Sequence, residues 1–391
     1  MGKRFSKTLY FLTLCLFLAT SASAQFRVLL YHAHSSFGFS ESVFIQDMDF
    51  LLQNDYHTVN LDQFYNWLVN NEPMPIRPLV ITFDDNYIGV YEIAYPVLKD
   101  RGFVATNFAH TDYVGVGGAN DHCDWSEIQE MESAGVFITE SHTKTHSRLT
   151  TLSEEEASAE IEGSKLAIET NLANKICKFI AYPYGSYNST IITLCQNAGY
   201  TAGFAVGNGI NYHNTALFEL QRIDLANIDF DTFKERIGYN LLPPSSPGKG
   251  WTIDNEDVNF FFDPDEWTLS TEVSGYYGLN YRVHSLGDGS HKARWAAYLP
   301  KSGNYHIHAW WTQDSDNTTS ATYEIHHLNG VSNVIVNQQE NGGQWNLLGN
   351  YQFSAKKAAE IFLSDTVDGQ VVADGVWFQP VSESAYGWFL H

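Results

Sequence analysis

Cysteine is scarce, with four in 391 residues at positions 15, 123, 177 and 195. Cys15 lies in a segment expected to be removed, and the other three permit at most one internal disulfide with a thiol left over. A disulfide scaffold is thereby excluded, and buried thiols are expected at all three positions. Long apolar runs are equally few. The stretch Leu9 to Ala19 follows a basic start (Lys3, Arg4, Lys7) and precedes the small-x-small end Ala22-Ser23-Ala24. It is too short to span a bilayer and reads as a secretory signal cleaved after Ala24. No later segment is long and apolar enough to cross a membrane, so an exported protein, periplasmic or extracellular and not integral to a membrane, is expected. Basic residues are also in short supply. Twenty-two Lys and Arg against 45 Asp and Glu give a formal charge of −23, and losing the three cations of the signal takes it to −26. Such a surface repels nucleic acid and anionic membranes and tolerates neutral or cationic partners.

What the chain does have is length for two cores and many rings: about 367 residues follow Ala24, and aromatics make up 15% of the sequence, much of it late. Residues 25–240 alternate short apolar runs with amphipathic helical segments. Strands are expected at Arg27–Tyr31, Pro78–Phe83, Val104–Phe108, Val136–Thr139, Phe179–Tyr182 and Thr201–Val206. Helices are expected at Glu41–Asn54, with Phe44, Met48 and Leu51 on one face, and at Tyr91–Arg101, stopped by Gly102. Asp124 with Glu127, and Ser153 with Glu156, open two further helices as capping boxes. Repeated strand-helix units imply a parallel sheet covered by helices. About seven strands in little more than 200 residues favour an α/β fold of the distorted, incomplete (β/α) barrel kind. Residues 241–250, LLPPSSPGKG, cannot continue a helix or a central strand and read as a linker. Beyond it, in 251–391, short alternating segments such as NYHIHAWW and ATYEIHH are separated by Gly and Asn turns, the pattern of an all-β sandwich. A linker of this kind predicts that the first domain folds and acts without the second.

The stretch ITFDDNY, residues 81–87, places Asp84 and Asp85 side by side after an apolar run. Adjacent carboxylates at a strand end point to different sides, so one can bind a metal while the other remains free as a base. An Asp-rich turn is the plainer alternative. Downstream, His142 and His146 stand four residues apart in SHTKTH, a spacing that puts two imidazoles on one face of a helical turn. In a barrel the strand C-termini converge on one face, so these pairs can meet. Two His and one Asp leave open positions for water and substrate on an ion. His57, His110, His122 and His213 have no expected place at a strand's C-terminal end.

TFDD, H-x-x-x-H and AYPYG, spread over about 100 residues, together resemble the polysaccharide deacetylases, carbohydrate esterase family 4 with the NodB homology domain. The resemblance covers roughly Phe26 to Tyr239 and implies a distorted (β/α) barrel. It implies Asp84 as general base, Asp85, His142 and His146 as ligands of one divalent metal, and the backbone N–H of Tyr184 as an oxyanion donor. Zinc is the first choice of ion, with cobalt, nickel or iron as alternatives. Two features depart from many members: Ala181 stands where an Arg holds the base, and the Leu-x-His motif that supplies an acid is missing. AYPYG and Tyr31-His32 after strand one instead resemble the branch that deacetylates poly-N-acetylglucosamine, which implies His32 as the acid. Arg222 in QRID is the candidate for steadying Asp84, with an ordinary surface ion pair as the alternative. His34, Tyr87 and Tyr182 are candidate substrate contacts.

The second domain resembles the golvesin C-terminal-like module of xanthan lyases in GNYHIHAWW, YEIHHLNG, GGQWNLLGNYQF and VVADGVWF. That points to a glycan or cell-wall surface as partner. Trp310, Trp311, Trp345 and Trp377 can stack on sugars, although alternate strand residues face a core, so at least half are expected to be packing. The expected activity is hydrolysis of N-acetyl groups on an N-acetylhexosamine polymer of poly-N-acetylglucosamine, peptidoglycan or chitin type. An O-acetyl esterase on xylan-like polysaccharide, or a degenerate binding scaffold, remains as an alternative.

Overall fold

The computed structural model describes residues 25–33, 39–117, 121–207, 209–239, 250–366 and 368–381. The signal segment, His34 and nearly all of the 241–250 linker therefore lie outside the described residues. The first part contributes β1 (Val28–His32), β2 (His57–Thr58), β3 (Met74–Pro75), β4 (Pro78–Asp84), β5 (Ala105–Ala109), β6 (Phe137–Ser141), β7 (Phe179–Ala181), β8 (Ala202–Phe204) and β9 (Ile223–Asp224). Its helices are α1 (Glu41–Gln53), α2 (Leu61–Asn70), α3 (Tyr95–Arg101), α4 (Trp125–Ser133), α5 (Glu154–Asn171), α6 (Ser189–Asn197) and α7 (Phe230–Arg236).

Strands β8-β7-β6-β5-β4-β1-β9 lie side by side in that order, all parallel, with β2 added beside β4. Parallel bridges Phe204↔Leu220 and Gly207↔Ile223 carry the β8 edge towards β9, so the segment Leu220–Asp224 brings the two edges of the sheet together. Side chains alternate across the strands. Leu29, Tyr31, Ile81 and Phe83 pack outwards with α1 residues Phe44, Met48 and Leu51. Val28, Val80, Phe108, Phe179, Ala181 and Phe204 form a second cluster on the inner face. On β4 the inner series is Val80, Thr82, Asp84, so the carboxylate of Asp84 is the polar end of an apolar row.

Both capping boxes form, at Asp124 with Glu127 and at Ser153 with Glu156. The helix expected at Tyr91–Arg101 is split, with a wide π-type turn at Val90–Ala94 running into α3. Pro96, which has no N–H to give the preceding turn, falls just after that junction. Cys123, Cys177 and Cys195 are free and buried. Burial pushes the thiols of Cys123 and Cys195 up to about 12, which leaves them protonated and inert. No helix among the described residues is long and apolar enough to cross a membrane.

The second part is built from β10 (Trp251–Ile253), β11 (Phe260–Phe261), β12 (Thr268–Ser270), β13 (Tyr281–His284), β14 (Lys292–Tyr298), β15 (Gly303–Ala309), β16 (Ala321–His327), β17 (Gly330–Val336), β18 (Asn346–Phe353), β19 (Ala359–Ser364), β20 (Val371–Ala373) and β21 (Val376–Pro380). They form sheets β10-β21-β15-β18, β11-β14-β19-β16-β17 and β12-β13-β20, antiparallel within this part. Trp295, Tyr323 and Ile361 from one sheet and Tyr305, Ile307 and Phe378 from another meet in one buried cluster, the core of a sandwich.

The two parts are not merely tethered. Strand β3, from the first part, pairs in parallel with β14 of the second, Met74 with Ala297 and Pro75 with Tyr298. The Trp67 indole donates to the Val258 carbonyl at 2.7 Å, and Asn259 accepts from Met74 N–H and donates to Pro75 O. Val258, Phe261 and Ala296 join the inner cluster of the barrel. Proline and glycine in the linker say where the chain turns, not what packs behind it, and a first part expressed alone would expose this contact. A chain ending at residue 250 should melt roughly 5–10 °C below the full chain, because Trp67 and its neighbours lose apolar cover and a buried N–H loses its acceptor. Equal melting temperatures in a thermal scan of both chains would contradict this.

Candidate active site

β4 ends at Asp84, whose Cα is in register with His32 of β1 on one side and Phe108 of β5 on the other. The next two residues, Asp85 and Asn86, both adopt left-handed backbone, φ 71° and 54°. Asp and Asn tolerate that region better than other side chains, though it remains strained. Asn86 is fixed there by its neighbours. It accepts from Asn107 Nδ2 at 2.8 Å and donates to Cys123 O at 3.0 Å, while Cys123 N–H returns a bond to Asn86 O. The double left-handed step turns Asp85 away from the inner row, so Asp84 meets Arg222 and Asp85 meets His146, while His142 Nε2 stands between the two carboxylates, 3.5 Å from Asp84 Oδ2 and 3.6 Å from Asp85 Oδ1.

Asp84 faces Arg222. The guanidinium donates from both terminal nitrogens, 2.6 Å to Oδ1 and 2.8 Å to Oδ2. Its Nε donates to Ala205 O and its plane lies over the Phe108 ring, leaving the side chain 0% exposed. Burial by itself would raise the Asp84 carboxyl, but Arg222 and then His142 hold it below the usual carboxylate range. The carboxylate is therefore ionised and oriented.

Asp85 faces the histidines. Its Oδ1 stands 3.6 Å from His142 Nε2 and 3.5 Å from His146 Nε2. One donor atom from each residue lies within 4.8 Å of the other two. His142 Nδ1 is 2.8 Å from Ala181 O, which fixes that nitrogen as the donor and leaves Nε2 as the ligand atom. Burial, then His142, lowers the pKa of His146, keeping its imidazole neutral. The buried Asp85 Oδ1 has no hydrogen-bond partner among the described residues. Two imidazole nitrogens and an unsatisfied carboxylate oxygen fit a divalent cation: around an ion with bonds of ~2.0–2.1 Å, tetrahedral donors stand about 3.3 Å apart.

The histidine loop is not the helical turn its spacing implies. Residues 142–146 run irregularly, with Thr143 and His146 left-handed at φ 66° and 59°. Its shape comes from α5, where Glu160 accepts from the N–H groups of Lys144 and Thr145 at 2.9 Å each and from the Thr145 hydroxyl. Thr143 O and Lys144 O also accept from Thr111 and Asp112 N–H.

His32 closes β1 with its Nε2 3.9 Å from Asp85 Oδ2. Tyr184 lies in the turn after β7 with φ 60°, its ring 4.6 Å from that of His146, under the Arg148 guanidinium and 58% exposed. The Tyr87 hydroxyl bonds to Asp85. Tyr182 does not reach the mouth: it is buried against Gly203 and donates to Phe218 O, so it offers a glycan no surface and is corrected to a packing residue. Two residues escaped the sequence reading. Glu160 sits in an acidic helix whose other carboxylates are mostly solvated, and nothing in its spacing sets it apart. His110 was denied a strand-end position, yet β5 runs one residue further than expected, to Ala109, and His110 follows it directly. It is buried between Tyr113 and His122, 5.9 Å from the His146 ring, and burial brings its pKa down to about 3 against the pull of Asp85.

Residues 71–203 match the family model for polysaccharide deacetylases, and residues 251–380 match that for the golvesin C-terminal domain. YxkH of Bacillus subtilis, whose name assigns it to the polysaccharide deacetylases, is 30% identical over 210 residues, covering 53% of this chain and 73% of that protein. The poly-beta-1,6-N-acetyl-D-glucosamine N-deacetylase of Staphylococcus aureus is 28% identical over 211 residues, 51% of this chain and 72% of that one. Among solved structures, the Streptococcus pyogenes deacetylase PplD in complex with acetate superposes with a TM-score of 0.51 at 26% identity, over 55% of this chain and 99% of its own. IcaB from Ammonifex degensii shares the fold, with a TM-score of 0.50 at 23% identity over 56% of this chain and 97% of its own. With the barrel, the paired aspartates and these likenesses in hand, the chain belongs to the polysaccharide deacetylase family and carries a golvesin C-terminal-type domain behind its barrel.

Proposed function

We propose that this deacetylase is exported and removes N-acetyl groups from an N-acetylhexosamine polymer, poly-N-acetylglucosamine first and peptidoglycan or chitin next, using one divalent ion. The observation that carries the reading is the division between Asp84 and Asp85. Both oxygens of one carboxylate are engaged by an arginine, while its neighbour turns towards two histidines. A scaffold that only bound sugar would have no use for an ionised carboxylate beside a donor set. The likeness to a staphylococcal poly-N-acetylglucosamine deacetylase supports the substrate class.

Asp85, His142 and His146 would hold the ion, zinc first by donor type with cobalt, nickel or iron as alternatives, which would polarise the acetyl carbonyl and acidify the attacking water. Asp84, kept ionised, takes the water's proton. The backbone N–H of Tyr184, in the left-handed turn after β7, takes the role of oxyanion donor. His32, one strand across from Asp84, hands a proton to the departing amine, because an amide anion is a very poor leaving group. Acetate leaves and the sugar becomes cationic, a product that an acidic surface tolerates. His34 stays a candidate substrate contact without a structural placement. In the second domain, Trp311 and Trp377 are buried, whereas Trp310 and Trp345 are half-exposed beside Tyr277 and give the glycan surface its two candidate platforms.

Incubated with a panel of acetylated polymers, the chain should release acetate from N-acetylated glycans, lose that activity to a chelator and regain it with zinc. Preferential release from acetylated xylan, or indifference to chelation, would overturn the substrate or the metal assignment respectively. His32→Ala should lower kcat on the amide by on the order of 10²-fold or more, with much less effect on an activated aryl ester whose leaving group needs no proton. Equal losses on the two substrates would remove His32 from the acid role.

A further inference from the structure

Away from the barrel mouth, a second set of ligand-type side chains converges at one end of the golvesin-type domain. Glu266 lies in the turn before β12, His284 is the last residue of β13, and His291 immediately precedes β14. One donor atom from each lies within 4.8 Å of the other two. Glu266 Oε2 is 3.4 Å from His284 Nε2, and Glu266 Oε1 is 3.9 Å from His291 Nε2. The two imidazoles lie nearly parallel, with ring centres 5.3 Å apart.

Each histidine is oriented from behind. His284 Nδ1 is 2.6 Å from Ser285 O, which fixes the tautomer and leaves Nε2 facing Glu266. His291 Nδ1 lies 3.3 Å from the Ser290 hydroxyl and 3.7 Å from Asp365 Oδ2, and Asp365 is itself held against the His291 backbone: His291 N–H donates to Oδ1, and Asp365 N–H donates to His291 O. The loop between the histidines lies so close to this carboxylate that a Cβ at position 287 would collide with Asp365 Oδ2, so only glycine fits there.

An ordinary His–Glu ion pair accounts for part of this arrangement but not for its unsatisfied atoms. His284 is 3% exposed and Asp365 1%, yet His284 Nε2 and Asp365 Oδ2 have no hydrogen-bond partner among the described residues. A buried polar atom left unpaired is destabilising, and His284 Nε2, aimed at Glu266 and the His291 Nε2 side of the cluster, calls for a partner there. Asp288, exposed in the same loop, groups with His291 and Asp365 on the other side of the imidazole.

We propose that Glu266, His284 and His291 form a second divalent-metal site, separate from the deacetylase centre, with the Asp365 carboxylate behind the His291 ring. Two nitrogens and one carboxylate oxygen suit zinc or a neighbouring first-row ion rather than calcium or magnesium, which prefer all-oxygen shells. The ion's role is structural. His284 ends β13 of the β12-β13-β20 sheet and Glu266 lies in the turn leading into β12, whereas His291 and Asp365 flank the β14–β19 pair, so the ion joins two sheets at their ends.

The test uses the full chain stripped with chelator and titrated with zinc against a chromophoric competitor. Wild type should bind two equivalents, and the His142→Ala/His146→Ala chain one. In that background His291→Ala should remove the remaining equivalent, Glu266→Gln should weaken it on the order of 10-fold or more, and Asp288→Asn should leave it alone. Glu266 is partly exposed, so its amide is expected to fold, and a thermal scan should show zinc raising Tm in the background chain but not after His291→Ala. The site is refuted if the background chain binds no zinc, if Glu266→Gln and His291→Ala leave its affinity unchanged, or if Asp288→Asn abolishes it in place of Glu266→Gln.

Discussion

The guanidinium of Arg222 and the carboxylate of Asp84 meet through two hydrogen bonds in a space that solvent does not reach, across 138 residues of sequence. Alone there, the carboxylate would take up a proton and the guanidinium would be a buried charge without a counter-ion, and removing one member of such a pair destabilises by about 3–5 kcal/mol. The pair thus does two things at once. It pins the closing segment of the barrel onto β4, and it fixes the first aspartate of the site as an ionised, immobile group. With Asp84 so committed, it is Asp85 that turns to the two histidines, and the backbone bends to allow it.

That bend is part of a pattern. Asp85, Asn86, Thr143, His146 and Tyr184 all have left-handed backbone, and none is glycine. Each such residue is strained, on the order of 1 kcal/mol or more, and persists because its surroundings over-determine it. The surroundings are visible: Asn107 and Cys123 hold Asn86, Glu160 holds the histidine loop, and Ala181 O holds the His142 ring. Strain concentrated on five residues around one spot, with hydrogen-bond clamps on the aspartate and histidine loops, is how a rigid sheet presents donors that its straight strands cannot aim.

Much of this was legible in the sequence, for a physical reason. Strand C-termini converge in a barrel, so an Asp pair and a histidine pair after apolar runs could meet, and alternation sent the two carboxylates to different sides without saying which of them faced inwards. Arg222 could be named but not placed, since an arginine in QRID reads the same whether it pairs at the surface or in the core. The histidine loop misled, because i,i+4 spacing implies a helix only where the backbone is helical. Glu160 and the β3–β14 pairing were beyond reach. One is a carboxylate among many on an acidic helix; the other is a two-residue strand at Met74–Pro75 whose partner lies more than 200 residues away.

The account rests on adjacent aspartates having different work, and substitution by asparagine separates them while keeping shape. Metal content by elemental analysis, measured alongside acetate release for Asp84→Asn and Asp85→Asn, is the most direct test. Asp84→Asn should retain close to one equivalent of ion at the barrel mouth and release acetate at least about 10²-fold more slowly, since an amide cannot accept the water's proton. Asp85→Asn should lose both ion and activity. Near wild-type turnover by Asp84→Asn, or equal loss of metal from the two variants, would contradict the division on which the site is built.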